Sequence, residues 1–241
     1  MRDVMEYQLP KTKCLICNSD YTPRGISKHI QSCIKKRFQD IVHRDATYYL
    51  LFIRPDFTKD YFLYLLVAQN TRLKELDKFL RAIWLECCGH MSAFFHGKFN
   101  EVPKNYYISQ LDNISKNVIY HYDFGSTTEL HIKILGKYKG PLGLKEKIVI
   151  LARNSQPIVP CDECGERPAV EICAECQWDG GGWLCEQCAR EHTCDRAMFL
   201  PVCNSPRVGV CGYEGEDKEI RTDKALSNFL KQLKKAQAVA G

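Results

Sequence analysis

Between Cys161 and Cys194 the chain reads C-x2-C-x8-C-x2-C-x8-C-x2-C-x3-H-x-C, which places eight soft ligands within 34 residues. Thiolate sulfur and imidazole nitrogen at these intervals form the ligand set of tetrahedral zinc, and eight of them suffice for two ions. Alternating pairing joins Cys161 and Cys164 to Cys185 and Cys188, and Cys173 and Cys176 to His192 and Cys194. Each ion then spans the loop that carries part of the other's ligands, a cross-brace suited to a segment too small for an apolar core. Sequential pairing, with the first four cysteines on one ion, is the alternative. One residue separates His192 from Cys194, so Cys203 or Cys211 is an alternative ligand in place of either. A further set, Cys14, Cys17, His29 and Cys33, supplies another site, and three Zn2+ ions are expected in all. Four protein ligands close the shell and leave no position for water, which argues against hydrolytic chemistry at these ions.

A second pool of reactive side chains lies mid-chain. Cys87, Cys88 and His90 stand together, with His121, Asp123, Glu129 and His131 further on. They suit a fourth metal or a Cys–His nucleophilic pair, the basis of an enzyme alternative. The opposing reading makes Cys87 or Cys88 a small hydrophobe that continues an apolar helix face. No phosphate-binding Gly-rich loop, HExxH or GxSxG occurs. The WDGGG stretch at 178–182 lacks the following Lys–Ser/Thr and reads as a turn, so nothing indicates a small-molecule substrate.

Fourteen cysteines, four C-x2-C pairs and no apolar leader core in MRDVMEYQLP point to a reducing, cytoplasmic setting. No stretch is long and apolar enough for a membrane span. The formal charge of +5 conceals an uneven distribution. Residues 156–220 carry five Lys/Arg against thirteen Asp/Glu, whereas 1–45 carry nine against five and 221–241 carry five against one. Thiolates bound to metal add further negative charge. Phosphate contact therefore belongs away from the acidic segment. Lys28, Lys35, Lys36 and Arg37 are the candidate contacts to DNA or RNA, while Trp178 and Trp183 are candidate anchors for a protein partner.

These residues need elements to position them. Residues 1–44 read as a zinc-binding unit whose helix, from Ile26 to about Arg37, sets His29 and Cys33 one turn apart on one face. Tyr21 and Ile26 stand where its small core belongs. Residues 45–155 read as an α+β domain with a mostly antiparallel sheet packed by a helix. ATYYLLFIRP and YFLYLLVAQ are strands, and TTELHIKIL alternates as a strand with one solvated face. A helix capped by Asn70 or Thr71 carries Leu73, Leu76, Phe79, Leu80, Ile83 and Trp84 and is ended by Gly89. MSAFFHGKF and KIVILA complete the strands. Residues 156–220 hold the two-ion module and a turn-rich tail, and 221–241 form a basic helix.

Three resemblances follow from these residues. Cys14, Cys17, His29 and Cys33 resemble single zinc fingers with ligands in the order cysteine, cysteine, histidine, cysteine. WLCEQCAREH resembles the last strand and short helix of B-box or ZZ-type cross-brace domains, which dock proteins. LDKFLRAIWLECCGHMSAFF, the Tyr122–Asp123–Phe124–Gly125 segment and NSPRVGVCGY resemble the plasmid open-reading-frame-three-like family, often labelled transposon-passenger or resolvase-like. That resemblance covers about 110 residues. It implies an α+β domain and carries no catalytic residue. The reading that results is a zinc-stabilised cytosolic protein-binding adaptor. A nucleic-acid-binding regulator of a mobile element and a Cys/His enzyme are the alternatives.

Overall fold

The computed structural model describes residues 11–39, 41, 44–97, 100–141 and 145–238. The MRDVMEYQLP stretch lies outside them. In chain order the elements begin with β1 (Thr12–Lys13), β2 (Asp20–Tyr21) and α1 (Pro23–Gln39), followed by β3 (Ala46–Pro55) and β4 (Leu63–Ala68). Next come α2 (Leu73–Leu80), a π turn (Arg81–Leu85), β5 (Ser92–His96), β6 (Asn100–Val102) and α3 (Ile108–Ile114). Then follow β7 (Asn117–Tyr122), β8 (Thr128–Gly140) and β9 (Ile148–Arg153). The last third holds β10 (Glu171–Cys173), β11 (Trp183–Leu184), α4 (Glu186–Glu191), β12 (Phe199–Pro201) and α5 (Thr222–Ala238).

The fold is α+β. Seven strands form one antiparallel sheet in the order β6-β5-β7-β8-β3-β4-β9. β3 and β4 are apolar at nearly every position because both faces of the sheet are covered there. Tyr49, Leu51, Ile53, Leu63, Leu65 and Val67 face α2 and α3, with Leu76, Leu80, Trp84 and Leu111 among their partners. Tyr48, Leu50, Phe62, Tyr64 and Leu66 face the other way, onto α1 and α5. In β8 the buried large apolar side chains are Leu130, Ile132 and Ile134, and the face carrying His131 and Lys133 opens to solvent. That open end forms a cleft of about 560 Å³ lined by Phe52, Arg54, Asn117, Ile119 and His131.

Helix α1 is fixed to this sheet. Ile26, Ile30, Ile34 and Phe38 recur every four residues and are all buried. Burying four such side chains contributes roughly 6–12 kcal/mol before entropy. The turn between β1 and β2 also docks on the sheet edge, where the Leu15 N–H donates to the Leu151 carbonyl of β9 at 2.9 Å. An otherwise unpaired edge strand is thereby partly covered.

Helix α2 departs from expectation at both ends. Its N-cap is Arg72, because Thr71 is buried and its hydroxyl is donated to the Lys147 carbonyl at 3.4 Å. The capping acceptor comes from within the helix. The Glu75 carboxylate accepts the Arg72 N–H at 2.8 Å and pairs with Lys147. The helical run stops at Leu85, four residues before Gly89, since Glu86 is extended and its carboxylate takes both the Arg81 guanidinium and the Gly89 N–H. Cys87 and Cys88 are therefore not on the helix face.

Burial works to raise the Glu75 pKa, but the Arg72 N–H and Lys147 outweigh it and hold the carboxyl below its ordinary value. A depressed carboxylate stabilises the fold above its unfolded pKa, and that contribution fades as pH falls through the folded value. Glu75→Gln is expected to lose about 0.5–1 kcal/mol at neutral pH. The gap from the native chain, read by urea unfolding, should close in acid below about pH 4. A gap unchanged by acid would rule out the charged cap.

Candidate metal centres

Three of the ligand sets read from spacing come together in space. In each set the candidate ligand atoms, one per residue, lie within 4.8 Å of one another. Tetrahedral zinc with Zn–S near 2.3 Å and Zn–N near 2.0–2.1 Å requires S···S edges of about 3.8 Å and S···N edges of about 3.5 Å. The distances below fit those values.

Cys14 and Cys17 sit on the β1–β2 turn, which Asn18 completes at a positive φ of 63°. His29 and Cys33 project from α1, and Cys17 Sγ lies 3.3 Å from His29 Nε2. Tyr21 stacks on the His29 ring at 3.8 Å, and Ile26 is fully buried beneath. A hydrogen bond from Cys33 brings the Cys14 thiol down to about 4 against burial, and the same bond raises the Cys33 thiol. Cys14 so placed is a ready thiolate ligand.

In the C-terminal module the grouping alternates. Cys161 and Cys164 meet Cys185 and Cys188, with Cys164 Sγ 4.0 Å from Cys185 Sγ. Cys173 and Cys176 meet His192 and Cys194, with Cys176 Sγ 3.3 Å from His192 Nε2 and 3.6 Å from Cys194 Sγ. Helix α4 links the two sites. Cys185 is its N-cap, Cys188 lies within it and His192 is its C-cap. Backbone N–H groups of Glu166 and Arg167 point at Cys164 and bring its thiol down to about 6. The module's buried apolar cluster comprises Cys161, Cys173, Leu184, Cys185 and Ala189, and Ile172 and Ala169 are its other buried apolar residues. Three of the cluster's five are ligands, so the candidate metals stand where a core would be.

Neither alternative ligand joins these sites. Cys203 is half-buried beside the Pro201 carbonyl, and burial pushes its thiol up to about 11. Cys211 lies instead with Cys87, Cys88 and His90, a fourth group within the same 4.8 Å limit. The mid-chain pool thus divides. His121 and His131 occupy adjacent strands, and Glu129 bridges them at 2.7 and 2.9 Å on the open sheet face. Asp123, with φ at 63°, turns instead toward the tail. The signal for this fourth group was arithmetic. Ten thiols fill three sites, and of the four cysteines left Cys87 and Cys88 adjoin His90 in the sequence.

The tail explains its own placement. Ser205 donates its hydroxyl to the Trp84 carbonyl at 2.6 Å, and the Asp217 N–H donates to the Ala82 carbonyl at 2.8 Å. Both carbonyls are of the kind orphaned at a helix end. Arg207 is fully buried and donates to Asp123, to the Ser126 carbonyl and to Thr128 Oγ1. Its guanidinium also lies over the Tyr122 ring at 4.8 Å. The NSPRVGVCGY and Tyr122–Gly125 segments are thereby packed together.

The remaining candidates are exposed to different degrees. Trp178 is 87 % exposed on the short turn Cys176–Asp179, and Trp183 is half-buried in β11. Lys28, Lys35 and Lys36 are exposed along α1, and Arg37 is half-buried with its carbonyl bonded by Gln237 of α5. Among the described residues no helix is long and apolar enough to cross a membrane.

No protein-family model matches the sequence. No curated protein matches it. One solved structure similar to the chain is a protein of unknown function, MM3350 from Methanosarcina mazei Go1. It is 16 % identical, aligns over 45 % of this chain and 70 % of that one, and has a TM-score of 0.37.

Proposed function

We propose that the chain is a zinc-stabilised binding protein, an adaptor whose acidic C-terminal module docks a basic segment of a protein partner. The observation that carries this reading is Trp178. Its indole is left 87 % exposed, and tryptophan is among the residue types that most often anchor a protein interface. It follows Cys176 and Gln177 on a turn fixed beside a candidate metal site, so little conformational freedom is lost when a partner seats on it. The surrounding segment carries thirteen acidic residues against five basic ones, which favours a cationic partner.

Pull-down with the full chain and with Trp178→Ala tests this. The exposed site makes the substitution nearly neutral for folding. Loss of a hot-spot tryptophan is expected to weaken capture of a specific protein by about 30-fold while the metal content stays constant. Equal recovery by the two chains would contradict the docking role.

A second reading rests on α1. Its outward face carries Lys28, Lys35 and Lys36, and α5 adds Lys231, Lys234 and Lys235, all exposed. Such a surface suits phosphate contact by DNA or RNA. The same pull-down separates the two readings, because captured nucleic acid would be released steeply by salt. A single finger reads about three base pairs, so this contact would serve within a larger assembly.

A further inference from the structure

We propose that Cys87, Cys88, His90 and Cys211 hold a fourth metal ion of the thiophilic, zinc class, clamping the tail to the α+β domain. This does not depend on the identity of any partner. Cys88 Sγ lies 3.3 Å from Cys211 Sγ, and Cys211 Sγ lies 3.5 Å from His90 Nε2. All four ligand atoms fall within 4.8 Å, the same limit met by the three sets recognisable from spacing. The Cys211–His90 separation is that of a zinc S···N edge, and Cys88 and Cys211 stand closer than an S···S edge of about 3.8 Å, although the ligands come from segments more than 120 residues apart.

The backbone on both sides is shaped for this. After α2 and its π turn, Glu86 is extended and accepts the Gly89 N–H, and Gly89 takes φ 72°. The chain from Cys87 to His90 is thus curled into a tight knuckle. Opposite it, Cys211 takes φ 55° without being glycine, a conformation that persists only where its surroundings impose it. Buried Arg207 and Ser205 supply that constraint a few residues upstream.

The surroundings of the histidine agree. With Nε2 toward the thiols, His90 turns Nδ1 to Asp123 Oδ1 at 3.6 Å. Asp123 is itself held by Arg207 and by the Gly125 N–H. A carboxylate behind the far nitrogen is the usual means of orienting a metal-binding imidazole. With this site counted, thirteen of the fourteen cysteines are ligands, and only Cys203 stands apart.

Two other chemistries fit part of the geometry. Cys211, His90 and Asp123 are ordered like a nucleophile, base and orienting acid, and Cys88 with Cys211 is a potential disulfide. Neither employs all four groups. The test compares metal content of the full chain and of the Cys88→Ser/Cys211→Ser chain by native mass measurement after zinc loading. The variant is expected to carry one ion fewer, and an equal count would overturn the proposal. Alkylation of the unmutated chain gives a second readout that needs no variant to fold. Cys88 and Cys211 are exposed, so chelation should increase their labelling at least tenfold. Equal labelling with and without metal would overturn the site. So would a single fast Cys211, as a nucleophile requires, or a Cys88–Cys211 crosslink under reducing conditions.

Discussion

Replacing Cys185 with serine is expected to release both metal ions of the C-terminal module and to unfold residues 161–202, leaving the seven-stranded sheet intact. Cys185 is buried and caps α4, which spans only Glu186–Glu191. A helix of that length has no stability of its own in water. It is held by Cys185 and Cys188 at one end and His192 at the other. Removing the first ion therefore frees the element that places His192, and the second site loses its geometry. Structural zinc contributes roughly 10–16 kcal/mol of apparent binding free energy in small domains, more than Ile172, Leu184 and Ala189 supply by burial. Loss of two ions with trypsin cleavage confined to the module is the expected result. Loss of one ion from a protease-resistant module would show that the two sites are independent.

Arg207→Ala is expected to destabilise the α+β domain by about 3–5 kcal/mol, the cost of leaving one member of a buried ion pair uncompensated. Arg207 has no exposed surface, and its partner Asp123 is 7 % exposed. Burial works to raise the Asp123 pKa, but the Arg207 guanidinium and the backbone N–H groups of Gly125 and Ser126 hold it below the ordinary value. Without the guanidinium, burial of Asp123 is opposed only by the Gly125 and Ser126 N–H groups. Thr128 Oγ1 and the Ser126 carbonyl lose a donor as well. Arg207→Lys is expected to recover only part of the loss, because an ammonium cannot reproduce the planar fork. Denaturant midpoints of the three chains measure this, and a change below about 1 kcal/mol for Arg207→Ala would show that the tail contributes little.

Much of this structure was legible in the sequence wherever one residue type dictates one environment. Thiols at C-x2-C spacing announce a metal knuckle whatever surrounds them. The nearly continuous apolar runs of β3 and β4 and the alternation in β8 reported which strands are covered on two faces and which on one. The illegible parts depend on distant partners. Thr71 is the better cap by residue type, yet Lys147, 76 residues away, takes its hydroxyl. The apolar spacing of α2 continues smoothly into Cys87, and only the competition of Glu86 for Arg81 and Gly89 ends it earlier. Nothing local in Cys88 or Cys211 indicates that the other lies 3.3 Å away. Their proximity is produced by Ser205 and Arg207, which read as ordinary tail residues until the groups they satisfy are known.

Bound metal, more than apolar packing, holds the C-terminal third in this account, whereas the sheet and α1 are held by their own core. Hydrogen exchange on the full chain, before and after complete chelation under reducing conditions, tests this most directly. The expected result is loss of protection across residues 161–202, with β3, β4, β8 and the buried face of α1 still protected. Unchanged protection across 161–202 in the metal-free chain would contradict it.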